Sequence, residues 1–449
     1  MTGNLREAGG DAAGGWLARI GLGRPELRAW AMYDWANSAF MTTIIAAVFP
    51  IYFIQVASAG VPVATAQFRF AMATTIALAI IAIVAPVLGA LADTRGAKKT
   101  FLAVFVAVGV AATAAMAGIG RGDWRLAVVL FVAGNIAISG GFAFYDSLLP
   151  HIAGPAEIDR VSTAGYATGY LGGGLLLGLN LLWITQPGWF GLPGPEAATR
   201  LSFLSVAVWW GLFSIPLFRR VAEPPVRMEA GERELGDPVR VALNRVRNSL
   251  AELRRFPQAA LMLAAFLFYS DGINAIIRLA ATYGTEMGIA QPHLIGAFLL
   301  VQFIGIPFAL IFGQFAARVG ARPAIFVSLV VYLAITVLAY FMRSATHFYL
   351  LAIMVGTVQG GSQALSRSVF ATMIPSHKSS EFFAFFGILE KFAGLLGPAA
   401  FAIVLSMTGS SRLGILSVAF FFLAGAVVLA FVDVDKGQRD ARAAEVPSA

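Results

Sequence analysis

The chain has 449 residues, of which 58% are hydrophobic and 12% are charged, and its mean hydropathy is +0.78. A soluble protein of this length could not bury so much apolar surface, so the composition excludes an ordinary soluble fold and predicts an all-α membrane protein. The net charge of +8 is compatible with nucleic-acid binding, but the positions of the basic residues favour a lipid bilayer as the partner and no nucleic acid. The absence of cysteine excludes disulfides and thiolate metal sites.

The hydropathy pattern predicts twelve membrane-spanning helices, six before and six after one long loop. A span needs roughly 20 apolar residues to cross about 30 Å of hydrocarbon. The polar tail at 1–28 lacks the short apolar core and cleavage site of a signal peptide, so we expect it to be retained in the cytoplasm. The predicted spans lie at 29–55, 67–91, 99–119, 125–149, 162–183, 200–218, 258–285, 293–316, 323–342, 346–374, 381–406 and 412–432.

The long loop divides the chain into two predicted six-helix halves, at 29–218 and 257–433. The interval 219–256 reads as a cytoplasmic linker with an amphipathic helix, because apolar residues recur at helical spacing after Asp237. We expect this helix to lie on the membrane surface, although a site for a regulatory partner would show the same pattern. Residues 434–449 form a second predicted cytoplasmic tail.

The basic residues indicate the orientation of the spans. Most of the 32 lysines and arginines fall on the side of the two tails, as the positive-inside rule requires of cytoplasmic loops. We therefore predict cytoplasmic termini and a multi-pass protein of the bacterial inner membrane, with an organelle membrane as the alternative. The basic residues predicted on the opposite side are Arg69, Arg121, Arg125, Arg200, Arg343 and Arg412.

A repeated loop relates the two halves. The sequence "GALADTRGAKK" after span 2 is matched by "GQFAARVGARP" after span 8 at one constant offset, and "FYDSLLP" is matched by "VFATMIP". Two related halves around a central cavity are the architecture that such repeats predict. The matched loop positions are Gly89, Gly96 and Lys98 in the first copy and Gly313, Gly320 and Arg322 in the second.

The first copy of this loop resembles the signature loop between spans 2 and 3 of the major facilitator superfamily. Within that superfamily, "AWAMYDWANSAF", "GNIAISGGFAFYDSLLPHIA" and "VQGGSQALSRSVFATMIP" are similar to the bacterial branch of the vacuolar (autophagy-related) amino-acid effluxer family. The resemblance covers about residues 25–433. It implies the major facilitator fold, with twelve helices in two pseudo-symmetric six-helix halves, and it implies amino-acid efflux.

The loop after span 2 is predicted to act as a gate. A tight turn that contains glycine lets Asp93 reach the N-terminus of a neighbouring helix or an arginine, which would hold an outward-facing state; the resemblance implies the same role. A generic basic loop is the alternative. Ala317 replaces this aspartate in the second copy, so the symmetry of the gate is left open. The predicted gating residues are Gly89, Asp93, Arg95, Gly96 and Lys98.

Polar side chains recur on one face of spans 1, 4 and 10. Such residues are costly inside a membrane and are functional candidates by default. Asp146 and Arg367 belong to corresponding helices of the two halves and could pair across the cavity; a purely structural polar network is the alternative. The predicted substrate or proton pathway residues of these spans are Asp34, Asn37, Asn135, Tyr145, Asp146, Gln359, Gln363 and Arg367.

Spans 7 and 11 add further pathway candidates. Asp271, Asn274 and Arg278 share one helical face of span 7, and Glu390 and Lys391 are adjacent in span 11. A buried carboxylate can carry a proton, so Asp271 and Glu390 are the candidates for proton coupling, with structural charge neutralisation as the alternative.

The position of Asp34 distinguishes it from its counterpart in the second half. Asp34 lies nearer the start of span 1 than Asp271 lies to the start of span 7. We therefore expect Asp34 near the cytoplasmic mouth, where gating or helix capping competes with substrate binding, and Asp271 nearer the midplane.

The glycines of span 5 are predicted to serve packing. Gly165, Gly169 and Gly173 recur every fourth residue, and small residues at that spacing permit close helix contact. Contact of this backbone with a substrate is the alternative.

The motifs indicate a transporter and not an enzyme. The sequence contains no HExxH, P-loop or GxSxG pattern, so we expect no catalytic residue, cofactor or metal site. We predict a secondary transporter of a small polar solute that works by alternating access, with amino-acid efflux implied by the resemblance and proton coupling as a hypothesis. A peptide, sugar or drug exporter and a non-transporting membrane receptor are the alternatives, and we expect a monomer.

Overall fold

The computed structural model describes residues 11–226, 254–289, 291–393 and 396–445, except for some side chains within these ranges. All regular structure in these ranges is helical, and eleven helices are long and apolar enough to cross a membrane. The amphipathic helix predicted in the linker falls on residues outside the described ranges. The eleven spanning segments are Pro25–Ala57, Met72–Arg95, Lys98–Gly118, Trp124–Ile152, Ile158–Thr185, Pro195–Arg220, Pro257–Ala280, Gly296–Val319, Ala321–Tyr340, Ala345–Thr372 and Ser411–Ala430.

The predicted span at 381–406 is not one continuous helix, which corrects the sequence prediction. It consists of two shorter helices, Ser379–Phe392 and Leu396–Thr408. The backbone leaves the helical conformation at Ala393, with φ −60° and ψ 131°. Pro398 gives a physical reason, because proline has no N–H to donate and its ring clashes with the carbonyl four residues earlier in a continuous helix. Hydropathy alone does not detect this interruption.

Span 1 combines α-helical and wider π-helical turns. Its first part, Pro25–Ala39, is a regular α-helix, and Phe40–Ala47 is π-helical. The N–H of Val48 accordingly donates to the carbonyl of Thr43 at 2.8 Å, five residues earlier. Such turns are rare and frequently occur at functional sites. The polar part of span 1 lies in the regular segment that precedes them.

Both described ends of the chain lie at one end of the helix bundle, here called the tail face. Arg24 donates to the carbonyl of Ile152 at 2.6 Å. The helix Val434–Glu445 follows span 12, and Glu445 accepts the N–H of Ser376 at 2.9 Å. The tail face also carries the starts of spans 1 and 7 and the loops that join spans 2 and 3, 4 and 5, 8 and 9, and 10 and 11.

Span 5 packs closely on span 1 through its glycines. A Cβ added at Gly169 would lie 2.7 Å from Oγ of Ser38, and one at Gly173 would lie 2.9 Å from Cγ2 of Thr42. These distances are shorter than ordinary van der Waals contact, so the two helices approach this closely only because the side chains are absent. The contact fixes the polar face of span 1 against span 5.

The outer surface of the bundle is apolar. Ile83, Val330 and Phe431 are 75%, 66% and 70% exposed. An exterior of this kind suits contact with lipid hydrocarbon, whereas the polar side chains of the spans are concentrated inside the bundle.

Candidate functional site

A buried arginine of span 10 lies among side chains of the first half of the chain. Nη1 of Arg367 is 3.1 Å from Oδ1 of Asp146, and Nη2 is 3.6 Å from Oδ2 of Asp34. Nε donates to Oγ of Ser162 at 2.9 Å, and Nη2 donates to the carbonyl of the same serine at 2.9 Å. The predicted pairing of Asp146 with Arg367 is confirmed, and the guanidinium joins the two halves.

Three aromatic rings surround the same guanidinium. Its Cζ lies 4.6 Å from the ring centre of Tyr166, 4.9 Å from Trp30 and 5.9 Å from Tyr145, within the range of cation–π attraction. Trp30 stacks on Tyr145 at 4.5 Å, and the Tyr145 hydroxyl donates to Asp34 at 2.7 Å. The aromatic side chains therefore also position a carboxylate. We call the set Trp30, Asp34, Tyr145, Asp146, Ser162 and Tyr166 the arginine cage.

The spacing of residues along the chain explains how spans 1 and 5 each supply two members of this cage. Trp30 and Asp34 are four residues apart on span 1, as are Ser162 and Tyr166 on span 5, and residues at that spacing share a helical face. Gly165 of span 5 lies where the two helices meet, because a Cβ added there would be 2.4 Å from Oδ2 of Asp34. Spans 1 and 5 can bring these side chains together only while this position has no side chain.

A second polar cluster at the tail face begins with the loop after span 2. Oδ1 of Asp93 is 2.8 Å from Nζ of Lys98, and both side chains are buried. Oδ2 of Asp93 accepts the N–H of Ser380 at 3.0 Å, in the first turn of the helix Ser379–Phe392. A helix N-terminus attracts a carboxylate because its first N–H groups have no partner within the helix. The predicted contact between this aspartate and a helix N-terminus is present, and it joins the two halves.

Serine side chains extend this cluster to span 4. Lys98 donates to Oγ of Ser379 at 2.6 Å, and that hydroxyl donates to the carbonyl of Ser147 at 3.1 Å. Oγ of Ser380 donates to Oγ of Ser147 at 2.9 Å. Each of these contacts crosses between the halves. We call Asp93, Lys98, Ser147, Ser379 and Ser380 the tail-face lock.

The second copy of the loop shares one kind of contact with the first copy but lacks its carboxylate. Nε of Arg322 donates to the carbonyl of Leu429 at 3.2 Å, at the end of span 12. Lys99 makes the equivalent contact in the first half, donating to the carbonyl of Phe218 at 2.9 Å, at the end of span 6. With Ala317 in place of the aspartate, the second loop contributes no carboxylate at this position. The lock is therefore asymmetric.

The glycines of both loops have a positive φ, although only Gly96 is in the left-handed helical conformation. Gly96 has φ +59° and Gly320 has φ +91°, values that side chains with a Cβ rarely adopt. Gly89 is buried and Arg95 is exposed. Of the five predicted gating residues, the structure thus places Asp93 and Lys98 in the lock and gives Gly96 the turn between spans 2 and 3.

The predicted residues of span 7 are not members of the arginine cage or of the tail-face lock. Asp271 is buried, with 1% exposure. The Asn274 amide donates to the carbonyl of Ser270 at 2.9 Å within the same helix, and Arg278 is exposed. This face therefore contributes a buried carboxylate but is not part of the arginine cage.

The remaining predicted residues are distributed along spans 1, 4, 10 and 11. Asn37 is buried one turn beyond the cage, and Oδ1 of the buried Asn135 accepts from Ser139 at 3.3 Å. Gln359 and Gln363 are half-buried. The side chains of Glu390 and Lys391 lie outside the part of the chain that the structure describes.

Several members of the two clusters are not among the residues predicted from sequence. Serine and aromatic residues are common inside membrane helices, so Ser147, Ser162 and Tyr166 do not stand out as charges do. The pair Ser379 and Ser380 does indicate the start of a helix in the sequence, because serine is favoured at that position.

Comparisons with known proteins agree with this architecture. The sequence pattern of the family described as "Vacuole effluxer Atg22 like" matches residues 23–159 and 155–442 of the chain. The chain belongs to this family. The MFS-type transporter YxiO of Bacillus subtilis (strain 168) is 34% identical over 429 residues, which are 92% of this chain and 97% of that protein.

A fungal relative is more distant. Autophagy-related protein 22 of Cryptococcus neoformans var. neoformans serotype D (strain JEC21 / ATCC MYA-565) is 27% identical over 303 residues. The alignment covers 63% of this chain and 52% of the fungal protein. The Atg22-like chain thus matches about half the length of that relative.

Solved structures share the fold at low sequence identity. The proton:xylose symporter XylE, bound to 6-bromo-6-deoxy-D-glucose, has a TM-score of 0.70 at 14% identity and covers 96% of this chain and 99% of its own. The transporter FucP in its outward conformation has a TM-score of 0.65 at 13% identity, with coverages of 91% and 100%. The family and the fold are those of major facilitator transporters, not of enzymes, which confirms the predicted fold class.

Proposed function

We propose that this Atg22-like transporter exports an amino acid from the cytoplasm by alternating access, with the tail face toward the cytoplasm of a bacterial inner membrane. The excess of lysine and arginine on the side of the tails supports the orientation. The description of the family as a vacuole effluxer supports efflux as the type of transport. Carboxylates, amides and an arginine inside the bundle are compatible with a zwitterionic solute.

The position of Arg367 carries the proposal. It lies five residues before the end of span 10, about 8 Å from the tail face at ~1.5 Å per residue. It belongs to the second half and is bound by two carboxylates of the first. Separation of the halves at this face breaks that network together with the tail-face lock. The described arrangement is therefore closed toward the tail face, and loading from the cytoplasm requires both clusters to open.

The direct test is counterflow in liposomes that contain the purified full-length chain. We expect accelerated exchange with at least one amino acid in a panel of amino acids, peptides and sugars. Asp34→Asn should abolish this exchange, because it removes a charge bound to Arg367, and Asp435→Asn serves as a control at an exposed carboxylate. Exchange with only peptides or sugars contradicts the amino-acid assignment. Ligand binding without any counterflow indicates a receptor.

Proton coupling is a separate part of the proposal. Asp271 is buried well inside span 7, and Glu390 is the second candidate from the sequence. We expect an imposed pH gradient to drive net flux and Asp271→Asn or Glu390→Gln to uncouple it, while counterflow without a gradient persists. Flux that is indifferent to the gradient and to both substitutions contradicts the coupling.

A further inference from the structure

The arginine cage is built by the first half alone, whereas the cation inside it comes from the second half. Spans 1, 4 and 5 supply every member of the cage, and Arg367 enters from span 10. The cage and its occupant therefore lie on opposite sides of the boundary that opens during alternating access.

The cage fits the shape of a guanidinium group. The N–H groups of Arg367 donate three hydrogen bonds to it: to Asp146 at 3.1 Å, and to the hydroxyl and carbonyl of Ser162 at 2.9 Å each. The ring centres of Trp30 and Tyr166 lie 4.9 Å and 4.6 Å from the central carbon. A guanidinium has donors fixed in one plane and a flat face that aromatic rings attract, which an ammonium lacks.

Opening of the tail face leaves this cage without its cation. Arg367 moves with the second half, while Asp34 and Asp146 stay with the first. Both carboxylates are buried in the closed arrangement, with 6% and 7% exposure. Removing the positive partner from a buried carboxylate is strongly unfavourable, so a cation that enters the cage from the tail face stabilises the open arrangement.

We propose that the arginine cage binds the guanidinium group of the transported solute, and that Arg367 occupies the solute's position while the tail face is closed. This inference rests on the proposed export and specifies its substrate class, a solute that carries a guanidinium. The solute and Arg367 then exclude each other, which links loading of the cage to opening of the tail face.

Chemical rescue tests the cage independently of transport. Arg367→Ala in the full-length chain removes the internal guanidinium, and millimolar guanidinium chloride should then raise Tm in a saturable manner. Equal concentrations of urea and sodium chloride should not. Arg343→Ala, which removes an exposed arginine, is the matched control and should show no response. The absence of a saturable, guanidinium-specific rise in folded Arg367→Ala overturns the proposal.

Transport by the unmodified chain gives a second test that does not depend on the folding of a variant. Citrulline carries an uncharged group of nearly the same shape in place of the guanidinium of arginine. We expect counterflow with arginine to be at least about tenfold faster than with citrulline, because the neutral solute would not balance the negative charge of the two carboxylates. Lysine carries an ammonium group and not a guanidinium, so it tests whether the cage accepts any cation. We expect counterflow with lysine to be slower than with arginine as well.

The two proposals fail in different ways. Counterflow that is as fast with citrulline or lysine as with arginine overturns the guanidinium assignment and leaves amino-acid export intact. The absence of counterflow with every amino acid contradicts the export proposal, and the rescue of Arg367→Ala then still decides whether the cage binds a guanidinium.

Discussion

Gly165 shows how much of the arginine cage depends on one missing side chain. It separates Ser162 and Tyr166 on span 5 and faces Asp34 across the helix contact. Its backbone lies inside an α-helix, where any residue fits, so its role here is to leave space. The closest approach of a Cβ at this position would be to a carboxylate oxygen, at 2.4 Å.

Substitution of this glycine should disturb the cage. We expect Gly165→Ala to destabilise the protein by about 1–3 kcal/mol, as overpacking of a tightly packed site does, and to reduce counterflow because Asp34 is displaced from Arg367. Gly178→Ala on the same helix is the matched control, since its added Cβ would have no atom within 4 Å. The measurements are Tm in detergent and counterflow rate. Equal effects of the two substitutions would contradict the assigned role.

Asp93 connects the loop after span 2 to the second half within the tail-face lock. It contacts Lys98 and the first turn of the helix Ser379–Phe392 at the same time. Because removing one member of a buried ion pair costs about 3–5 kcal/mol, Asp93→Asn should shift the population toward an open tail face.

Accessibility of a buried cysteine measures this shift. The chain has no cysteine, so Ser147→Cys introduces a single reporter at a side chain with 0% exposure. We expect maleimide to label Ser147→Cys faster when Asp93→Asn is also present. Arg95→Gln, at the exposed arginine of the same loop, should leave labelling unchanged. Slow labelling in both double variants would show that the lock does not hold this face closed.

The charged residues of the clusters and Tyr145 could be predicted from sequence, and most of their neutral partners could not. Asp34, Asp146 and Arg367 stand out because an ionised group inside an apolar span is costly and rare. Ser162 and Tyr166 contribute as much to the geometry, yet each is an ordinary residue of a membrane helix. Their role depends on which helix faces them, and a single sequence does not contain that information.

At the scale of helices, the interruption of span 11 is the main difference from the sequence prediction. Hydropathy averages over a window, so it reports that 381–406 is apolar but not that the helix stops at Ala393. The second segment, Leu396–Thr408, packs on span 7 through Gly397, where an added Cβ would lie 2.5 Å from Cβ of Ala275 and 3.2 Å from the carbonyl of Asp271. The second segment of span 11 therefore lies against the backbone of span 7 at Asp271 and Ala275.

This helix contact gives a prediction of its own. Gly397→Ala should lower Tm and slow transport, because the second segment of span 11 can no longer approach span 7 as closely. Gly387→Ala lies in the first segment of the same span and would place its Cβ where no atom lies within 4 Å, so its effect should be small. Similar losses in both variants would show that helix propensity, and not the contact with span 7, is responsible.

At the scale of the whole molecule, eleven of the twelve predicted spans and the twofold internal repeat followed from hydropathy and from the matched loops. The relative placement of the halves did not, because it depends on contacts between residues more than 200 positions apart, such as Ser147 with Ser380. Ala317 indicates the asymmetry of the lock in the sequence, but only the structure shows that Arg322 binds the end of span 12.

A cross-link between the halves should stop the transport cycle. Oγ of Ser147 and Oγ of Ser380 are 2.9 Å apart, so the double substitution Ser147→Cys, Ser380→Cys is expected to form a disulfide upon oxidation. Counterflow should be lost when the disulfide forms and should return after reduction. Each single substitution under the same oxidant is the control. Undiminished counterflow in the fully cross-linked protein would contradict the opening of the tail face.

Span 4 carries Asp146 and Ser147 side by side, one in the arginine cage and the other in the tail-face lock. Adjacent residues of a helix point about 100° apart, so a single helix faces span 10 with one residue and span 11 with the next. Rotation or displacement of this one helix changes both sets of contacts together. We therefore expect the two closures to act as one cooperative latch, in which releasing either cluster weakens the other and partly open intermediates are sparsely populated.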